Sequence, residues 1–203
     1  MSFLISGFID DFPPALIGKI GLAPWLIPTH LADGLPKIIP HIGKDYVVHN
    51  NVAIHKTANI EQGAILKGPG VIGPHCFIGA NAYLRAGVYL ANSVVIGPGC
   101  EVKTSIILSY THLAHFNFIG DSIIGNHVNF EAGAIICNHW NEKEDKQIRL
   151  LYSEKMIETG IQKFGALVGD GSKIGANAVL SPGTILEKNA IVKRLELIEQ
   201  KTG

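Results

Sequence analysis

"VIGPHCFIGANAYLRAGVYLANSVVIGPGCEV", residues 71–102, carries an aliphatic side chain at every sixth position: Ile72, Ile78, Leu84, Leu90, Ile96 and Val102. Outward from it, the same step reaches back through Leu66, Ile60 and Ile54 to Val48, and forward to Leu108. It resumes at Ile119, Ile124, Phe130 and Ile136, then at Val168, Ile174, Leu180, Leu186 and Val192. Four residues after each aliphatic position comes a small or β-branched residue, such as Ala58, Ala64, Cys76, Ala82, Val94 or Cys100. Period six is neither the 3.6 of a helix nor the alternation of an isolated strand. It fits a triangular coil in which each hexad is one short flat strand and one corner, the large and the small side chain together filling the interior. Glycine follows the aliphatic residue at 73, 79, 97, 120, 125, 169 and 175. These glycines, with Asn81 and Asn177, are expected to supply corners that need positive φ. The fold class expected is all-β, a left-handed parallel β-helix of about seven coils.

The repeat is interrupted twice. The steps Ala114 to Ile119 and Ile119 to Ile124 are five residues long, so the phase is expected to slip there. Residues 139–164 leave the series; "QIRLLY" and "MIETG" around "SEK" predict a two-stranded arm thrown out of the coil. Residues 48–193 form the solenoid on this reading. Residues 1–47 precede it as a cap, with two short amphipathic helices expected in "FLISGFIDDFPPALIGKI" and "PWLIPTHLADGLPKII". Residues 194–203 read as a tail, frayed or briefly helical.

Basic and acidic residues balance at 17 each, which argues against nucleic acid or a charged membrane surface as partner. No apolar run approaches the roughly 20 residues that span a bilayer. The apolar N-terminus lacks a basic leader and is broken by Asp10 and Asp11, so a cytoplasmic location is expected. Cys76 and Cys100 occupy the small interior slot and read as core fillers, and Cys137 reads as structural.

Residues 112–138, "HLAHFNFIGDSIIGNHVNFEAGAIICN", concentrate the polar groups. Their H…IGDS…GNHVN…CN series, on a hexad background covering about residues 48–193, resembles the acetyltransferase half of the bifunctional glucosamine-1-phosphate acetyltransferase/N-acetylglucosamine-1-phosphate uridyltransferases. The segment "KFGALVGDGSKIGANAVLSPGTIL" and the longer arm are closer to the archaeal-type relatives. No Gly-rich nucleotide loop precedes the repeat. The resemblance implies His115 as general base, Arg85 and Lys103 as phosphate ligands, and Asn129 and Asn138 as sugar-binding positions. It also implies acetyl-CoA as acyl donor, lying near Ala132 and the corner around Gly169, no metal, and a homotrimer with sites shared between subunits.

Several positions depart from the family pattern. Phe118 replaces a phosphate-contacting tyrosine, Glu131 a glycine and His139 a tyrosine, and a substrate-contacting lysine is matched only loosely by Lys143 or Lys146. A histidine with an ordinary pKa near 6.5 can take the proton of an attacking amine at neutral pH. Arginine can grip a phosphate through two donors. The function expected is acetyl-CoA-dependent N-acetyl transfer to an amino-sugar phosphate or a nucleotide-linked amino sugar. Two other classes stay open. One is a non-catalytic trimeric module that binds a sugar nucleotide. The other is a metal hydrase like the γ-class carbonic anhydrases, with His112, His115 and His127 as ligands, although their spacing does not match that family's. A longer acyl group is also open, with Trp140 and Phe164 near its end. Without the motif, His112 reads as packing in the interior slot, His127 and His139 as surface or substrate-edge groups, and Arg85 and Lys103 as surface ion pairs.

Overall fold

The structure, a computed structural model, describes residues 4–17 and 23–199. Seven coils stack in parallel. The middle face is a seven-stranded sheet running from Asn59–Ile60 to Ile191–Val192. The first and third faces join in one sheet, because Tyr83–Leu90 and Glu101–Ile107 run continuously round the corner between them. The register on the middle face is Asn59↔Phe77↔Val95, a step of 18 residues, then His112 and Asn129, a step of 17. Three hexads per coil give the first step; the second needs one five-residue hexad in each of two coils.

The interior holds the expected series, from Ile72 and Ile78 through Leu84, Leu90, Ile96 and Val102 to Ile174, Leu180 and Val192, with Cys76, Ala82, Val94 and Cys100 between them. Of the two expected short steps, 119–124 stands where expected and the other is displaced, from 114–119 to 102–107. The interior series runs Val102, Ile107, Leu113, Ile119, Ile124, so the short steps are 102–107 and 119–124. Leu108 is buried, but in a second cluster outside the prism. His112 is exposed on the middle face, and Thr111 fills the interior slot instead, its hydroxyl donating to the Gly125 carbonyl at 2.7 Å. Val48 is 53% exposed, in the strand Tyr46–His49 that pairs antiparallel with Val52–His55. The stacked coils therefore begin at Val52, and Leu197–Ile198 adds a last parallel strand where a tail was expected; residues 200–203 lie outside the described part.

The glycines that follow the aliphatic positions do not supply the positive φ. Those corners are Gly63, Gly99, Gly133 and Gly171, alternating with Asn81 (φ 60°), Asn177 (φ 55°) and Asn189 (φ 59°). Gly73, Gly97 and Gly175 serve a different need: a Cβ there would run into the backbone of Ala91, Ala114 and Arg194 on the next coil. Close stacking of coils excludes a side chain at that point.

Only the first face of the prism is covered. Its outward residues Ala53, Val71, Ile106, Ile123 and Leu167 are buried beneath Trp25, Ile27, Leu31, Leu35 and Ile39 of the N-terminal segment and Ile148, Leu150 and Phe164 of the arm. The helix Leu31–Ile38 presents Leu31 and Leu35, one turn apart, to that face. The first expected amphipathic helix is instead a 3₁₀ turn, Ile5–Gly7, and a four-residue helix, Pro14–Ile17, parted by Pro13 and Pro14; residues 18–22 lie outside the described part. The arm is two-stranded as expected, Arg149–Tyr152 against Lys155–Glu158, turning at Ser153 and Glu154 with positive φ at both. It is not thrown out into solvent. Leu150 and Ile148 are fully buried, and Tyr152 meets Phe8 of the N-terminal segment at 5.7 Å between ring centroids. Among the described residues, no helix is long and apolar enough to cross a membrane.

The glycine at 97 and the helical Gly34 should respond to alanine in opposite ways. Gly97→Ala is expected to cost about 2–3 kcal/mol through overpacking, whereas Gly34→Ala, with nothing within 4 Å of its Cβ position, is expected to stabilise by about 0.5–1 kcal/mol. Urea unfolding midpoints of the two variants measure both.

Candidate active site

The two short hexads, Lys103-Thr104-Ser105-Ile106-Ile107 and Gly120-Asp121-Ser122-Ile123-Ile124, share Ser-Ile-Ile in the same register. The previous coil turns the same corner with one residue more, Arg85-Ala86-Gly87 before Val88, and the register shifts there. In each tight corner one residue takes positive φ, Thr104 and Asp121 both at 48°. The following serine then turns inward. Ser105 and Ser122 donate to the carbonyls of Lys103 and Gly120 at 2.7 Å. The same hydroxyls accept the amides of Ser122 (3.1 Å) and Ala166 (3.0 Å) from the next coil. Short hydroxyl side chains thus satisfy the backbone that the missing residue would have paired.

Outside this corner the polar side chains form a ladder up the prism. Arg85 donates through Nε to Glu101 at 2.8 Å and lies over the Tyr83 ring at 5.8 Å. One coil on, Lys103 contacts Asp121 at 2.7 Å, with little of either side chain exposed (16% and 8%). The same Oδ2 of Asp121 accepts the side-chain amide of Asn138, whose Oδ1 faces His139 Nδ1 at 3.2 Å. Asn138 and Gly165 bracket the arm, and their neighbours close it: the Phe164 amide donates to Asn138 and the Gly165 amide to Asp121, both at 3.0 Å. Lys103 and Asn138 are therefore brought together through Asp121, and Arg85, paired with Glu101, stands beside Lys103 in register; the sequence reading did not single out either carboxylate. The recurrence of Ser-Ile-Ile at 105–107 and 122–124, 17 residues apart, is the signal that points to the corner residue Asp121.

The Phe118 ring and the Asn138 amide meet over Gly120, where a Cβ would stand 2.9–3.0 Å from both. They form one wall of a cavity of ≈ 350 Å³ that His139, Trp140, Glu142 and Pro182 also line. Lys143 and Lys146 are engaged elsewhere: the Lys143 ammonium sits 3.3 Å from the centroid of the Trp140 ring, and Lys146 donates to the Asn141 carbonyl at 2.8 Å. Phe164 is buried beneath the arm.

His115 occupies the corner at the other end of the third face, three residues before Phe118. Its side chain is exposed and makes no hydrogen bond among the described residues. Phe116 beside it has positive φ (53°), is 72% exposed, and lies over Gly99 of the preceding coil. Asn117 points into the prism, donating to the carbonyls of Glu131 (2.9 Å) and Ala134 (3.1 Å), which fixes this corner to the next coil. The Ala80 and Ala176 amides donate to Glu61 and Glu131, acids placed one coil before them. Pro98 has no N–H. Behind His115 and Ala132 stand Gly97 and Ala114, which offer no acceptor, and neither amide has a hydrogen-bond partner among the described residues.

Asn129 lies apart from Asn138, exposed on the middle face, in a groove of ≈ 470 Å³ with Glu131, Lys173, Lys193 and Arg194. Ala132 borders the middle face at the His115 corner, and Gly169 borders it at the opposite corner on the next coil. His112 is on the middle face and His127 at its far corner, stacked on Tyr110 at 4.8 Å, so the three histidines do not converge within the chain. Among the described residues, no three His, Cys, Asp or Glu side chains are grouped to hold a metal ion. Burial pushes the thiols of Cys76 (to about 11), Cys100 and Cys137 upward, which disfavours thiolates and fits structural roles.

Residues 71–149 match the family described as the GMPPB C-terminal domain, and residues 165–193 match the hexapeptide repeat of succinyl-transferase. A bifunctional sugar-1-phosphate nucleotidylyltransferase/acetyltransferase of Sulfurisphaera tokodaii is 35% identical over 136 residues, covering 67% of this chain and 33% of that protein. The bifunctional protein GlmU of Methanococcus vannielii is 32% identical over 158 residues, covering 78% of this chain and 37% of the relative. A hexapeptide transferase family protein from Anaplasma phagocytophilum aligns over 72% of each chain at 19% identity and a TM-score of 0.36. Stacked hexad coils with this corner ladder define a hexapeptide-repeat protein. Over most of its length the chain is similar to the bifunctional sugar-1-phosphate nucleotidylyltransferase/acetyltransferases; it spans about a third of the length of the curated relatives it matches.

Two measurements test the electrostatics. Asp121→Ala leaves the Lys103 ammonium and the Asn138 amide without their acceptor, and a loss of about 2–4 kcal/mol in unfolding free energy is expected. Because the folded-state pKa of Cys76 is raised, its contribution is complete below pH 9 and is lost as pH rises towards about 11. Thermal midpoints should fall across that window, and less steeply in Cys76→Ala.

Proposed function

We propose that the chain is an acetyl-CoA-dependent N-acetyltransferase acting on an amino-sugar phosphate or a nucleotide-linked amino sugar, working in the cytoplasm as a homotrimer. The observation that carries this reading is the His115 corner: an imidazole free of side-chain partners beside two free backbone amides, one face away from a cavity walled by Phe118 and Asn138. The acceptor's amine nitrogen attacks the thioester carbonyl while His115 takes its proton. The C–N bond forms, the C–S bond breaks, and the imidazolium returns the proton to the departing thiolate. The Ala132 N–H, one coil from His115, is suited to the oxyanion that develops on the carbonyl. The acceptor lies across the third face, its ring against Phe118 and Asn138, its phosphate towards the Arg85–Lys103 ladder.

Lys103 reaches such a phosphate only by sharing it with Asp121, so Arg85, partly exposed and paired with Glu101 through Nε, with neither terminal nitrogen held by an acid among the described residues, is the stronger phosphate donor. Bare middle and third faces support the trimer. Phe116 (72% exposed) stands beside His115, and Ile191 (74%) and Leu195 (79%) lie three coils further along, on uncovered surface, where a neighbouring copy would bury them.

Thiol release from acetyl-CoA, measured against a panel of amino-sugar phosphates and nucleotide-linked amino sugars, tests the reading. Turnover with at least one acceptor is expected, with kcat falling about 100- to 10,000-fold in His115→Ala. Undiminished turnover in that variant would refute the base. Silence across the panel from an assembled trimer would favour a binding module.

A further inference from the structure

The cations of the third face do not stop at Arg85. Lys67, Arg85 and Lys103 follow one another at steps of 18 residues, and the register stacks them on three successive coils, at the roughly 4.8 Å spacing of neighbouring strands. Across the interior residues Leu66, Leu84 and Val102 runs a second outward column, in which Tyr83, Glu101 and Phe118 are in register. Lys67 and Tyr83 have no part in acyl transfer at His115 or in the phosphate contacts of Arg85 and Lys103.

Charge is distributed unevenly along the ladder. Nearest His115, Lys103 is matched by Asp121 at 2.7 Å, with little of either side chain exposed. One coil towards the N-terminus, Arg85 gives its Nε to Glu101 at 2.8 Å and keeps its terminal nitrogens clear of any acid among the described residues. At the far end Lys67 is exposed, and its ammonium makes no ion pair among the described residues. It stands 5.2 Å from the centroid of the Tyr83 ring, and the Arg85 guanidinium stands 5.8 Å from the same centroid. One aromatic ring thus gathers the two cations least engaged by carboxylates. Net positive charge rises with distance from His115, from a neutral pair at Lys103 to an unbalanced ammonium at Lys67. Tyr83 adds a hydroxyl at that end, whereas Phe118, two coils on in the same column, has none.

An acceptor with a single phosphate leaves the unbalanced end of this ladder unused. A second phosphate, joined to the first through a bridging oxygen, extends towards it. We propose that Lys67 and Tyr83 form a subsite for the second phosphate of a diphosphate-linked amino sugar, which makes the nucleotide-linked class the acceptor rather than the sugar monophosphate. The phosphate next to the sugar takes the terminal nitrogens of Arg85. The second takes the Lys67 ammonium and the Tyr83 hydroxyl. Each phosphate of such a diester carries one negative charge, so Arg85 and Lys67 match them one to one. The subsite rests on the acceptor lying across the third face, and it adds the chemical class of that acceptor.

Calorimetric titration of the full chain with glucosamine 1-phosphate and with UDP-glucosamine, at low and at high salt, tests the subsite without requiring turnover. UDP-glucosamine is expected to bind about tenfold more tightly or better, and the margin to shrink as salt rises. Lys67→Met should abolish the preference and leave the affinity for glucosamine 1-phosphate unchanged, while Lys67→Arg should keep the preference. Lys56→Ala, at an exposed lysine paired with Asp45, should change neither affinity. Equal affinity for the two sugars in the wild type would overturn the proposal. So would absence of binding by both, or a preference that survives Lys67→Met, as contacts to the nucleoside alone would give. A Lys67-dependent preference without thiol release from acetyl-CoA would uphold the subsite and refute acetyl transfer. Thiol release with glucosamine 1-phosphate and no Lys67-dependent preference would do the reverse. Lys67 is on the surface, so its variants should keep the wild-type circular dichroism spectrum.

Discussion

Everything in this protein depends on one coil being hydrogen-bonded directly to the next, at the roughly 4.8 Å spacing of neighbouring strands. The bonds run up the prism without a break, as from the Asn59 amide to Cys76 and from the Phe77 amide to Val94. Such a spacing leaves no room at certain corners for any side chain, which is why Gly73, Gly97 and Gly175 cannot be replaced freely. It also makes neighbours in a corner share space. Where one coil has glycine, the next can lay a longer group over it: Asn81 over Gly63, Phe116 over Gly99, Asn177 over Gly133. The exposed aromatic beside His115 is thus one more instance of a packing rule that runs the length of the solenoid.

The same constraint explains where the candidate site sits. Removing a residue from the corners at Lys103 and Asp121 tightens them without altering the strands on either side. Serine hydroxyls absorb the loss on the inner side. On the outer side the shortened turns bring Lys103, Asp121 and Asn138 into contact across three successive coils. The arm leaves and returns at this point, so its first residues, His139 and Trp140, become walls of the neighbouring cavity. Coil shortening, charge ladder and cavity are consequences of one local change in length.

Much of this was legible in the sequence, because an interior side chain every sixth residue is a strong and unambiguous period. The reading failed where the period alone could not arbitrate. Leu108 and Ile107 are adjacent aliphatics, and only the outer packing against the N-terminal segment decides which of them faces in. Choosing Leu108 delayed the slip and put His112 into a slot that Thr111 fills. The arm's strands were readable from their pattern, but its burial was not, since the surface it covers comes from residues 53 to 185 and from no local signal. His115, Arg85, Lys103 and Asn138 were found by motif. Glu101 and Asp121 were passed over because charged residues at solenoid corners look like ordinary surface. Glu131 was noticed as a departure, yet its partner Arg194 stands 63 residues away, in what had been read as a tail.

The backbone at the His115 corner joins these strands of argument. A corner amide aimed outward must find an acceptor or stay in contact with water. In this column the acceptor is supplied by whatever side chain stands one coil before it, so the sequence at 61, 79, 97, 114, 131 and 175 sets the state of each amide. Glutamate at 61 and 131 closes the amides of Ala80 and Ala176. Glycine at 97 and 175 and alanine at 114 leave those of His115, Arg194 and Ala132 open among the described residues. Two free donors beside an unbonded imidazole are what an acyl carbonyl and an attacking amine require together. A repeat that is monotonous inside can therefore differ from corner to corner outside, since a single acid one coil away decides whether a corner amide is paired or open.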